Sequence, residues 1–139
     1  MVHMVKLRNM KRDPALMAEN VLKGVELEDR IASVARENGF IVKVRWWNVD
    51  VVLIRGDTGF VVECKNYELS KGEQRKAIRQ LRKNFERMLP MLCEKFNVKQ
   101  KNVVPVLVAN GFSYNSKYVL QFKPEEFINF LKSLGEKVF

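Results

Sequence analysis

Histidine is nearly missing from this sequence, and cysteine, proline and glycine are scarce: one, two, four and seven residues in a chain of 139. The sole histidine, His3, sits in Met-Val-His-Met, a setting that fits an expression-vector remnant ahead of a natural start at Met4. It is a poor candidate for catalysis. Cys64 and Cys93 make no disulfide framework. No apolar run approaches the ~20 residues of a membrane span, and the first residues lack the basic-then-apolar pattern of a signal peptide. The expectation is a cytoplasmic protein without a membrane partner. Internal repeats, low-complexity tracts and domain boundaries are absent as well. The length predicts one domain with a continuous core, over residues 14–139, preceded by a basic arm at 1–13.

Acidic residues are also in deficit, 16 against 25 lysines and arginines, which leaves a net charge of +9. An excess of this size on a small domain favours nucleic acid as the partner, because each neutralised phosphate releases counterions. The competing reading is a basic surface with no specific role. The distribution weighs against it. Lys6, Arg8, Lys11 and Arg12 form the N-terminal arm, while Lys71, Arg75, Lys76, Arg79, Arg82, Lys83 and Arg87 load one helical stretch. Glu73 and Glu86 relieve that stretch only sparsely, whereas a solvated helix face ordinarily mixes both signs.

The apolar pattern describes one α/β unit. Asp13-Pro14 opens a helix, which runs to about Asn38 with a break expected at Gly24 and a stop at Gly39. Leu27, Ile31, Val34 and Ala35 form its stripe, and Glu28 lies on the border. Strand follows at Phe40–Trp46. A long helix spans Gly72–Phe96, with Ile78, Leu81, Phe85, Met88, Leu89 and Leu92 inward and a kink or split expected at Pro90. Val103–Ala109 reads as a buried strand, Tyr118–Phe122 as a last one, and Pro124 opens a final helix to Leu134.

Between the first strand and the long helix lies the part that carries chemistry. Val49–Arg55 and Phe60–Lys65 are rich in β-branched residues and flank a turn at Arg55-Gly56-Asp57-Thr58-Gly59. Whether the loop has two residues or four, Asp50 falls opposite Glu63. Lys65, two residues on, emerges on the same face roughly 7 Å along the strand. Apolar residues on both faces of the Asp50 strand predict a central sheet covered by helices. Two carboxylates directly opposed in such a place destabilise it, and a divalent cation between them removes the penalty. Cys64 alternates away from them and reads as a small core residue.

Asp50, twelve intervening residues, then Glu63-Cys64-Lys65 on the next strand resembles the PD-(D/E)XK nuclease superfamily. Val49 stands where that motif has a variable Pro, and Glu28 matches the helix carboxylate of many members. Lys23-Gly24, Glu28 four residues later, Gly39-Phe40 eleven further on and the thirteen-residue step from Asp50 to Glu63 are nearest in spacing to archaeal Holliday junction resolvases. The resemblance covers roughly Lys23 to Asn66. Beyond it, the basic helix carrying Gln80 looks more like restriction and recombination-repair nucleases.

The resemblance implies a restriction-endonuclease-like fold, a central mixed β-sheet flanked by helices, and a metal-dependent DNA endonuclease. Asp50, Glu63 and the backbone carbonyl of Cys64 would ligate Mg²⁺ or Mn²⁺, which prefer oxygen. Lys65 would orient or deprotonate the attacking water or meet the transition-state charge. Glu28 is a candidate for a second metal, and Gln80 for positioning water or phosphate. Arg75, Arg79, Arg82 and Lys83, with the basic arm, would bind DNA.

Duller readings stand beside these. Asp50, Glu63 and Lys65 can form a structural ion cluster, Glu28 a solvated flank, and Gln80 an ordinary surface residue. Trp46 and Trp47 are read as adjacent on a strand, so one faces the core, leaving the other for a base or a subunit; Tyr67 is open to DNA or packing. Phe127, Phe130, Leu131, Leu134 and Phe139 exceed what a short terminal helix needs, which predicts a homodimer. A junction resolvase, a restriction-type or repair nuclease on duplex or single-stranded DNA, and a non-catalytic binding domain remain open; the intact Asp50, Glu63 and Lys65 weigh against the last.

Overall fold

The computed structural model describes residues 14–136, and of residues 16–24 the backbone alone. The basic arm with Lys6, Arg8, Lys11 and Arg12 lies outside the described residues, as does Phe139. Five strands lie in chain order across one sheet: β1 (Ile41–Trp46), β2 (Val49–Arg55), β3 (Thr58–Glu68), β4 (Val103–Gly111) and β5 (Leu120–Phe122). The first three form an antiparallel meander, and β4 and β5 join it in parallel. Three α-helices lie among the described residues: α1 (Pro14–Glu37), α2 (Lys71–Phe96) and α3 (Pro124–Gly135).

The strand periodicity dictates the layers. On one face Val52, Ile54, Val61 and Leu107 pack with Ala77, Leu81, Met88 and Leu92 of α2. On the other, Val51, Leu53, Val62 and Val108 pack with Leu27, Ile31 and Ala35 of α1 and Phe127 and Leu131 of α3. Val51, Val52 and Leu53 are wholly buried. This is the expected α/β architecture, a mixed sheet flanked by helices in the restriction-endonuclease-like manner. No helix among the described residues is long and apolar enough to cross a membrane.

Turn chemistry sets the register. Gly56 takes φ +58°, which an L-residue adopts at a cost, and the loop is the two-residue Gly56-Asp57 with Arg55 paired to Thr58. Gly39, at φ +86°, ends α1 as its position predicts. α2 starts on a capping box: the Glu73 N–H donates to Ser70 Oγ, and the Ser70 N–H to Glu73 Oε1.

Several expectations need correction. α1 runs unbroken through Gly24, whose cost of about 1 kcal/mol relative to Ala is covered by the docking of Leu27, Ile31 and Ala35. Pro90 does not split α2, because its position is exposed while Met88 and Leu92 anchor the helix on either side. Trp47 belongs to a turn, not to β1. The surplus apolar residues of α3 are used within the chain. Phe127 and Leu131 are fully buried, and Phe130 stacks on Phe122 at 5.1 Å and meets Phe60 edge-on at 5.7 Å. Leu134 packs on the same core, so this surplus contributes to the fold of the chain itself.

Candidate functional site

Asp50 sits where β2 parts from β3. Pairing between the strands runs from Arg55–Thr58 to Val51–Val62, and that register continued sets Asp50 opposite Glu63. Beyond Val51 the alternation breaks: Val51 packs on the α1 side and Val49 on the α2 side, although two strand residues apart should share a face. The strand turns over at Asp50. Its side chain takes a role the backbone gives up, since the Cys64 N–H donates to Asp50 Oδ2 at 2.8 Å. An extended residue directs its N–H and C=O to the same neighbour, so the Cys64 carbonyl faces the same gap.

A tight turn feeds this point. Trp47 and Asn48 both have positive φ, +52° and +61°, as a type I′ hairpin requires, and Arg45 before them lies at +50°. None is glycine, so the turn carries strain of order 1–3 kcal/mol per residue. Packing holds it. Trp46 lies edge-on to Phe96 at 6.2 Å with the Lys95 ammonium 5.3 Å from its ring centre. The buried Asn84 donates from Nδ2 to the Asn48 carbonyl at 3.1 Å.

Burial and mutual repulsion shape the carboxyl groups. Glu63 is pushed up to about 9, first by burial and then by the hydrogen bond and charge of Asp50; Lys65 opposes the shift and Glu28 adds to it. Glu28 is only 8% exposed, so it is not a solvated flank. Burial raises it to about 7, with Asp50 adding and Arg45 opposing. Arg45 pairs with Glu28 through Nη1 and reaches Asp29 at 3.7 Å through Nη2. Burial likewise pushes the Cys64 thiol well up, which suits a core residue and not a reactive one.

Thus Asp50, Glu63, Lys65 and Glu28 come together, with Arg45 as a member that sequence reasoning missed. Nothing in the local pattern marks Arg45, because its partner lies on another element. Gln80 is not brought in: it is exposed, and its Nε2 donates to Asn84 Oδ1 at 3.2 Å, not to a carboxylate. The glutamine that α2 turns inward is Gln74, fully buried, and with Asn84 it was also missed. Both were findable. Gln74 lies four residues before Ile78, and Asn84 three after Leu81, so each is a polar residue in the apolar stripe.

Asp50 and Glu63 offer hard oxygen donors whose repulsion only protons or a cation relieves. No group of three acidic, cysteine or histidine side chains among the described residues is arranged to hold a metal. Two carboxylates still suit Mg²⁺, which keeps several waters and takes one or two protein carboxylates. Arg75, Arg79, Arg82 and Lys83 lie exposed along one flank of α2, where they line a groove with residues 114–118. Trp47 and Tyr67 are exposed.

No family model and no curated protein matches the chain. Among solved structures it is similar to a repair endonuclease from Pyrococcus abyssi, at 20% identity and a TM-score of 0.35. The match covers 65% of this chain and 41% of that one, so the chain spans less than half of that structure's length.

Proposed function

We propose that this chain is a divalent-metal-dependent DNA endonuclease that hydrolyses phosphodiesters at Asp50, Glu63 and Lys65, as PD-(D/E)XK nucleases do. The observation that carries the reading is geometric: the β2–β3 register sets Asp50 opposite Glu63, on a strand that presents Lys65 two residues later. A Glu63 carboxyl whose proton affinity is raised by burial and by Asp50 suits a cation better than a structural ion cluster. Asp50, Glu63 and the Cys64 carbonyl would hold Mg²⁺ or Mn²⁺. When bound, such an ion polarises the phosphodiester and lowers the pKa of a water.

The remaining work falls to the chain itself. Asp50 is oriented by the Cys64 N–H. Lys65 sets a cation where negative charge grows in the transition state, the contact that accelerates reaction instead of merely tightening binding. Glu28, paired with Arg45, flanks the two carboxyls from α1 and remains the candidate for a second ion. Gln80 reaches the site only through Asn84 and Asn48.

Paired incision of a four-way junction suits a two-fold enzyme. The use of α3's aromatic residues inside the chain favours instead a restriction-type or repair nuclease on duplex or single-stranded DNA. Cleavage of a four-way junction, a flap, a duplex and a single strand, each with Mg²⁺ or EDTA, tests these readings together. Asp50→Ala and Glu63→Ala should each abolish cleavage while DNA binding survives. Wild-type rates in either variant would remove the assignment, and a wild type inert on all four substrates would leave a binding domain.

A further inference from the structure

We infer that the groove between α2 and residues 112–119 seats one strand of DNA, with a base stacked on Tyr118; this rests on DNA being the substrate. The groove encloses about 580 Å³, the range of a small-ligand site. It therefore admits a nucleotide or two of one strand, while a duplex meets only its rim. Arg75, Arg79, Arg82 and Lys83 come from the helix and Lys117 from the facing segment, against the single acid Glu86. Five cations in so small a space favour an anionic chain.

Tyr118 is what turns an anion groove into a strand groove. The residue is 62% exposed, yet its ring does not hang in solvent: the Arg82 guanidinium lies over it, 4.3 Å from the centroid. The cation holds the ring from one face, and the base would stack on the other. Stacking on a ring already held costs little ordering, and base–aromatic stacking tolerates any sequence because every base has a π-face.

The wall that carries Tyr118 is also prepared in advance. Gln74 accepts from the N–H groups of Ser113 at 2.7 Å and Tyr114 at 3.2 Å, and donates to the Tyr114 carbonyl at 2.8 Å. Gln121 accepts from the Ser116 N–H at 2.7 Å, and Ser116 Oγ from the Tyr118 N–H at 3.1 Å. A loop tied by a fully buried glutamine keeps its shape without ligand. The groove also lies on the flank of α2 away from Gln80 and Asn84, the side that reaches the turn before Asp50. A strand there is anchored, not cut.

Fluorescence anisotropy in EDTA, so that nothing is cleaved, tests this with a labelled single-stranded DNA, its duplex and the equivalent RNA. Tyr118→Ala should weaken single-strand binding on the order of tenfold and leave the duplex little changed, while Tyr118→Phe keeps wild-type affinity. The side chain is exposed, so folding should survive, and a thermal melt checks it. An equal loss on duplex and single strand, or no loss on either, overturns the groove; tighter binding of RNA than of DNA overturns its assignment to DNA. Cleavage assayed in parallel separates the two readings. A selective Tyr118→Ala effect in a protein that never cleaves keeps the groove and removes the nuclease; cleavage with no Tyr118 effect does the reverse.

Discussion

Lys65 and Asp50 pull Glu63 in opposite directions, and the outcome, a carboxyl pushed up to about 9, shows that burial and Asp50 prevail. Removing the ammonium therefore has two effects. Lys65→Ala should lower cleavage on the order of 10²-fold or more, the usual cost of a lost transition-state contact. It should also raise Glu63 further, so Mg²⁺ binding followed by calorimetry should persist but need a higher pH. Loss of Mg²⁺ binding at every pH would make Lys65 a support of the site and not a catalytic group. The opposition of Asp50 and Glu63 was legible because strand period and hairpin length leave few registers. Arg45 was not, since its ion pair with Glu28 depends on how α1 crosses β1, which no local pattern encodes.

At the scale of elements, α2 carries a second lesson in reading polar residues. Gln80 and Gln74 are six apart on one helix, and the resemblance pointed to the exposed one. The stripe of Ile78, Leu81, Met88 and Leu92 points to the other. Gln74→Ala should destabilise the fold by about 2–3 kcal/mol, since it strands several buried partners, whereas Gln80→Ala should cost under about 0.5 kcal/mol. Urea unfolding of both variants checks this, and equal costs would refute the assignment of the clamp to Gln74. Element positions were largely readable, because caps and turn glycines fall at Gly39, Gly56 and Pro124. The misjudged features, a break at Gly24 and a split at Pro90, are those that tertiary packing decides.

For the whole molecule, the raised carboxyls couple stability to pH. Burial and the neighbouring Asp50 raise Glu28 to about 7 and Glu63 to about 9, above the ordinary carboxylate range. Their contribution is fully present below the unfolded value and is lost as pH rises through those folded values. A divalent ion bound between these carboxyls would take the protons' place, so under the proposed function the rise in Tm given by Mg²⁺ should be small near about pH 5 and grow towards about pH 9. Melting curves with and without Mg²⁺ measure it. A Tm gain that stays flat with pH, or one that survives Asp50→Ala, would detach the ion from these carboxyls.

Chain order and sheet order coincide, and that leaves the sheet with β1 and β5 as its two margins. A margin of unpaired N–H and C=O groups is a template on which another chain can add a strand, the first step of aggregation. Both margins are poor templates here. β5 is only three residues long, and β1 carries Lys43 and Arg45 and is bent by the positive φ of Arg45. Arg45, the residue that pairs with Glu28, thus also blunts one edge of the sheet, which makes edge-to-edge joining of copies unfavourable.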